Sequence, residues 1–290
     1  MTFSFHKNGK KNSANFLTVG LNLSNNGSIC IMRGSEIELY LESERITRRK
    51  RDWRIKSLLD YIEGTPDVIA VADAYWDKPD KELQSSSDLA AVKKMFPTSE
   101  IKDYRNCHHL THAALGWVNS GFDKAICIVV DANGSKDPHG IEIETVYEFP
   151  FYTLDSSICY KKYFSQEDIG IGKKFEQACI SYGFDQQDAG KIMGLSAYGK
   201  GEAHKVQMEW ENRAEELVSR YASRNIVLVG GCFLNCVVNY KLQRELDVRM
   251  RVMPIAHDGG TSIGAAYLAT LNKSLAKTHA DIPNKELEDR

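Results

Sequence analysis

A chain of 290 residues with 42% hydrophobic residues and a formal net charge of −2 can bury one large core or two modest ones, and carries no basic excess to draw it to nucleic acid. No apolar run approaches the ~20 residues of a membrane-spanning helix, and the polar start Met1–Asn15 lacks the apolar centre of a signal peptide, so no membrane partner and a cytoplasmic location are expected. Seven scattered cysteines, without a Cys-x-x-Cys pair, argue against a disulfide scaffold and read as small buried hydrophobes in a reducing compartment.

Residues 1–14, with Lys7, Lys10 and Lys11 among Ser, Asn and Gly, read as a flexible leader. Phe16–Asn22, Gly27–Met32 and Glu36–Leu41 then read as three strands joined by Asn/Gly turns. The first turn, Asn22 to Ser28, is small and polar; its N–H groups suit a phosphate and equally an ordinary hairpin. The charge run Glu42–Asp52 reads as a solvated face, with a nuclear-localisation or nucleic-acid role not favoured without a wider basic surface. Trp53–Ile62 has helical apolar spacing, Asp67–Ala72 reads as a buried parallel strand, and 77–100 as loop with a short helix at Asp88–Met95.

Cys107–Ala114 carries the clearest chemical signal. His108 and His112 are four residues apart, so on a helix both imidazoles leave one face and can hold a metal ion, while His109 points about 100° away. Such a pair also arises by accident. Two carboxylates give it company: Asp131, at the end of the apolar run Ala125–Val130, and Asp258, in a His-Asp-Gly-Gly loop. The histidine helix should stop near Asn119, before Gly121.

Further strands are expected in Ile141–Phe151, nothing regular from there to Phe164, and a helix over Ile171–Tyr182 closed by Gly183. Asp188–Lys200 is too glycine-rich for a helix throughout. It reads as a surface loop or as backbone that approaches a ligand, with Lys191 or Lys200 supplying charge. Glu202–Ser223 is an amphipathic helix, Ile226–Val229 a strand ended by Gly230-Gly231, and Phe233–Leu246 a helix with its first N–H groups toward a cleft. Arg249–Ile255 is a last strand, Thr261–Leu271 a last helix, and the tail from Asn272 is loosely attached.

Five stretches, in order, resemble the nodulation-protein and antibiotic O-carbamoyltransferases (NodU/CmcH type) along ~250 residues: HHLTHAA, VVDANGS at 129–135, KIMGLSAYGK at 191–200, LVGGCFLN at 228–235 and PIAHDGGTSIGAA at 254–266. The resemblance implies an α/β, two-lobed actin/hexokinase-like (ASKHA) fold with duplicated RNase H-like lobes, here 15–124 and 125–271, followed by a loose tail at 272–290. Strand–turn–strand at Phe16 and again at Ala125 fits a duplication. It also implies His108, His112, Asp131 and Asp258 as ligands of one divalent metal, Fe(II) favoured and Zn(II) or Mn(II) compatible with the donors. ATP, AMP or a carbamoyl-adenylate would lie against Asn133, Gly134, Lys191, Gly194, Gly230, Gly231 and Asn235, with Arg45, Arg48 and Lys50 toward an anionic substrate.

Two departures from the family stand out. Asn22 replaces the acid that the fold often carries at the first turn, and the long segment usual after the glycine-rich motif is missing. The resemblance leads to the expectation that this chain corresponds to the first domain of such proteins, without a YrdC-like domain, and that carbamoyl phosphate and ATP would be used directly or through a YrdC-like partner protein. The expected activity is carbamoyl transfer to a hydroxyl of a small molecule, sugar or nucleoside, the proton leaving to His139, His257 or a substrate phosphate. The alternatives are an ATP- and metal-binding subunit in threonylcarbamoyl modification of tRNA adenosine, which the charge balance does not favour, and an inert scaffold.

Overall fold

The structure is a computed structural model, in which residues 15–73, 79–151 and 154–270 are described. The expected leader at 1–14 and the tail from 272 lie outside the described residues.

The first sheet starts with β1 (Leu17–Asn22), β2 (Ser28–Arg33) and β3 (Glu36–Glu42), an antiparallel meander. Two short helices, α1 (Ser43–Thr47) and α2 (Lys56–Leu59), lead to β4 (Val68–Ala72); α3 (Pro79–Met95) leads to β5 (Glu100–Tyr104). β4 and β5 run parallel to β1, giving the order β3-β2-β1-β4-β5. β1 and β4 are buried along their whole length, as apolar strands covered on both faces are.

After α4 (His108–Ser120) a second sheet repeats the plan. β6 (Ala125–Val130) is its first strand; β7 (Lys136–Asp137) forms a small hairpin with β8 (Gly140–Phe149); α5 (Leu154–Ser157) precedes β9 (Ile158–Tyr163). Next come α6 (Ile171–Ser181), α7 (Ala189–Ser196), α8 (Gly201–Ser219), β10 (Ile226–Val229), α9 (Cys236–Glu245), β11 (Met250–Val252) and α10 (Thr261–Thr270). β8 and β9 lie antiparallel on one side of β6, with β10 and β11 parallel on the other. In each sheet the first strand therefore has an antiparallel meander on one side and two parallel strands on the other, the second sheet adding the short β7.

Some elements differ from expectation. The helix foreseen at Trp53–Ile62 shrinks to one turn, because Asp52 accepts the N–H of Arg54 at 3.2 Å and its guanidinium at 2.6 Å, holding the preceding backbone out of helix. The loop foreseen at 77–100 is mostly α3, and it ends in an unforeseen edge strand, β5. β9 fills the stretch left unread before Phe164. The glycine-rich motif is helical over Ala189–Ser196, where Gly190 and Gly194 face open space. The helix placed at Phe233 begins at Cys236, after a 3-10 turn over Gly231–Leu234, because the Asn235 side chain caps the Val238 N–H at 3.1 Å.

α10 leaves the second sheet and packs on β1, β4 and α4. Two glycines allow this. A Cβ on Gly20 would lie 1.9 Å from the Ser262 carbonyl, and one on Gly264 1.8 Å from the Thr111 carbonyl. α4 sits in the same core with Leu110, Leu115, Trp117 and Val118 buried, each such side chain contributing about 1.5–3 kcal/mol. This packing carries the histidines of α4 to the turn that precedes α10. Among the described residues no helix is long and apolar enough to cross a membrane.

Candidate metal centre and cleft

His108 and His112 leave one face of α4 and their Nε2 atoms stand 3.2 Å apart. Asp131, at the end of β6, brings Oδ2 to 3.4 Å from His112 Nε2. Asp258, in the 3-10 turn before α10, brings Oδ1 to 3.6 Å from His108 Nε2 and 3.7 Å from His112 Nε2. The four candidate donor atoms all lie within 4.8 Å of one another. Both imidazoles are buried, while the carboxylate side chains are 14% and 17% exposed, so the cluster is closed behind and open in front.

The carboxylates are held from their own side. Asp131 accepts the Ala132 N–H at 2.7 Å and the Gly231 N–H at 3.1 Å. Ser24 Oγ lies 3.4 Å from Asp258 Oδ2, and its hydroxyl donates to the nearer Asn22 Oδ1 at 2.7 Å. Burial opposes a charge on His112, but its hydrogen bonds to Asp131 and Asp258 outweigh this and push its pKa up to about 9. Burial likewise opposes the charges on Asp131 and Asp258, yet the histidines hold both carboxyls below the usual carboxylate range. A proton on His112 thus sits where a cation is favoured. Two imidazoles and two carboxylates fit Fe(II), Zn(II) or Mn(II), and would neutralise a divalent ion. His109 faces away: its Nδ1 lies 2.8 Å from Thr145 Oγ1, and burial drives its pKa down to about 3.

The cluster opens into a cleft of about 540 Å³. Of the residues singled out in the sequence, Lys50, Asn133, Gly231 and Asn235 line it together with Asp131 and Asp258. Several are already engaged. The Gly231 N–H is given to Asp131, and Asn235, besides capping α9, bonds Gln207 Oε1 at 2.7 Å. Asn133, with its amide oriented to satisfy both neighbours, accepts from Lys173 Nζ at 2.9 Å.

The others stand outside the cleft lining. Gly134 packs on the His109 ring, which a Cβ would meet at 2.6 Å, and gives its N–H to the Glu142 carbonyl at 2.6 Å. Gly230 gives its N–H to the Ala256 carbonyl at 3.1 Å. Lys191 pairs with Asp188 at 2.7 Å, and Gly194 faces open space. Arg45 is 68% exposed beside Glu44, and Arg48 closes α1 in the left-handed region with φ 57°.

Arg51 lines the cleft instead, its guanidinium reaching the Gln187 carbonyl and Asp188 on the α7 side. Lys173, Phe175 and Gln187 line it too, and none was picked out from the sequence. A readable signal existed: Gly170-Ile171-Gly172-Lys173 opens a helix, and a Cβ on Gly172 would strike Ala132 Cα at 2.5 Å, beside Asp131. Of the two histidines considered as bases, His257 lines the cleft, its Nδ1 accepting the Gly259 N–H at 3.1 Å; His139 is exposed and elsewhere.

The family model of the carbamoyltransferase N-terminus matches residues 205–267, from α8 to α10 and including Asp258. No curated protein matches the chain in sequence. Among solved structures, full-length HypF in its phosphate- and nucleotide-bound form is similar at 13% identity with a TM-score of 0.54, over 92% of this chain and 57% of that one. HypF of T. kodakarensis is similar at 10% identity and a TM-score of 0.51, over 90% and 48%. A ROK hexokinase from Thermus thermophilus is similar at 12% identity and a TM-score of 0.46, over 87% and 98%. This chain spans about half the length of either HypF.

The fold is shared with both HypF structures, and its two sheets repeat one strand plan. Of the two first strands, β1 ends in Asn22 and β6 is followed directly by Asp131. The Asn22 amide is consumed by its own turn: Nδ2 donates to the carbonyls of Asn25 and Asn26 at 2.9 and 3.2 Å, and Oδ1 accepts from the N–H and hydroxyl of Ser24 at 3.0 and 2.7 Å.

Proposed function

We propose that this chain is a carbamoyltransferase of the family it resembles, and the catalytic half of a metal-dependent O-carbamoyl transfer from a carbamoyl-adenylate to a small hydroxyl acceptor. The observation that carries this reading is the convergence of His108, His112, Asp131 and Asp258 at the edge of a 540 Å³ cleft, with Asp258 inside the stretch that matches the carbamoyltransferase N-terminus. The similarity to a HypF that holds phosphate and nucleotide supports nucleotide in the cleft.

His108, His112, Asp131 and Asp258 would hold the metal, Fe(II) being favoured by the resemblance, and the bound ion supplies Lewis-acid stabilisation of phosphate and carbonyl oxygens. Lys50, Arg51 and Lys173 line the same cleft and offer positive charge to phosphate oxygens. The N–H groups of Gly134, Gly230 and Gly231 are spent within the protein, so charge on the departing AMP falls to these side chains rather than to a glycine cradle. The acceptor oxygen bonds to the carbamoyl carbon, the bond from that carbon to the phosphate oxygen breaks, and AMP leaves with the electron pair. A phosphate oxygen takes the acceptor's proton, since the lone pair of His257 Nδ1 already accepts the Gly259 N–H.

Calorimetric titration of the anaerobically purified protein with AMP, with and without Fe(II), tests this. Metal-dependent AMP binding is expected, followed by gain of one carbamoyl group in an acceptor from a mixture of small hydroxyl compounds supplied with carbamoyl phosphate, ATP and a YrdC-like protein. An AMP heat absent in both conditions would leave the inert scaffold as the reading.

A further inference from the structure

A group of buried charges lies behind α4, outside the cleft. Glu142 is fully buried, and the Lys161 and Asp137 side chains are 1% and 4% exposed. Lys161 Nζ is 2.7 Å from Glu142 Oε1 and 3.3 Å from Asp137 Oδ2, and the Tyr163 hydroxyl donates to the same Asp137 oxygen at 2.7 Å. Taking charges out of water costs several kcal/mol per ion, and their attraction does not reliably return it as stability; fixing a register is the better-attested use of such a group.

The register here leads to the histidines. Glu142 Oε2 accepts the Ser135 N–H at 3.3 Å, and Ser135 Oγ accepts the His108 N–H at 2.8 Å. Backbone bonds from Glu142 N–H to the Ser135 carbonyl at 3.0 Å and from Gly134 N–H to the Glu142 carbonyl at 2.6 Å lock the same turn. His108 opens α4, so its N–H has no acceptor within the helix, and Cys107, at the cap position, makes no side-chain cap bond. Ser135 does that work from another segment, four residues after Asp131. One turn thus carries a carboxylate of the cluster and grips the first N–H of the helix that carries both imidazoles.

We infer that Ser135, braced by Glu142 and Lys161, is a positioning residue that sets His108 against Asp131, and so controls how tightly a divalent ion is held. This rests on the metal reading proposed above. Ser135→Ala removes one buried oxygen and touches none of the four donors. It should lower Fe(II) or Zn(II) affinity by about 10- to 100-fold, the range seen when partners behind metal ligands are removed. Amide exchange at residues 108–111 of the metal-free protein should quicken, with the circular dichroism unchanged. Ser135→Thr keeps the hydroxyl and should restore both; should the alanine variant misfold, Glu142→Gln, which keeps the shape and removes the charge, is expected to weaken metal binding in the same direction. Wild-type protein that takes up no metal would sink the metal reading itself. Wild-type uptake with unchanged affinity in Ser135→Ala, or in Glu142→Gln where the alanine variant misfolds, would overturn the positioning role alone.

Discussion

The two sheets place a turn at the same point of the same strand order, and use it differently. In the first, the buried Asn22 amide bonds back to Ser24, Asn25 and Asn26 and closes the turn on itself. In the second, the carboxylate of Asp131 accepts N–H bonds from Ala132 and Gly231 and turns its charge toward His112. An amide both donates and accepts, so it can satisfy a turn alone; a carboxylate only accepts and must find a cation. The amide keeps the first turn closed on itself, whereas the carboxylate of the second turn meets the histidines of α4 and Asp258.

Exchanging the two chemistries should break this contrast. Asp131→Asn gives the second turn the side chain of the first, and should weaken divalent-metal binding by about 100-fold or more, since even partners behind the ligands are worth 10- to 100-fold; an anaerobic competition titration reads it. Asn22→Asp removes two buried donors and leaves the Asn25 and Asn26 carbonyls facing a carboxylate. A loss of about 2–3 kcal/mol is expected in urea unfolding, without a new metal site.

The proton on His112 sharpens the comparison. Its pKa is raised from 6.5 to about 9 in the metal-free protein, so the stability it draws from the carboxylates is complete below pH 6.5 and is lost as the pH climbs through 9. The melting temperature of metal-free protein should fall across that window, and less so in Asp131→Asn. Metal must displace this proton, so apparent affinity should rise over the same window. The smallest effect is expected from Lys191→Ala: Lys191 is 56% exposed and paired with Asp188, and AMP affinity should stay within about two-fold, as exposed ion pairs are worth little.

Much of the fold was legible because its central strands are unbroken apolar runs and its histidine spacing is helical. Elements that bury little were not. β5 is an edge strand with Ile101 and Tyr104 as its apolar residues, and α3 was legible only as a short helix over Asp88–Met95, where Leu89 and Val92 are buried. The histidines were legible from their four-residue spacing, Asp131 from the end of the apolar run Ala125–Val130 and Asp258 from its His-Asp-Gly-Gly loop. The charged residues were harder to place. Arg45, Arg48, Lys50 and Arg51 form one basic run, and left-handed backbone at Arg48 and Arg51, with the Arg51 N–H held by Glu44 at 2.9 Å, determines which of them reaches the cleft. Composition carries no record of that rotation. Gly134, Gly230 and Gly231 show a related limit: a glycine marks close approach, and here what approaches is the protein's own His109, Val130 or Asp131.

The most direct test is an anaerobic calorimetric titration of Fe(II) into metal-free wild-type protein and Asp258→Ala. One ion per wild-type chain, bound much more weakly or not at all by the variant, is the expected result. No uptake by the wild type, or the same stoichiometry and affinity in both proteins, would contradict a metal centre built from His108, His112, Asp131 and Asp258.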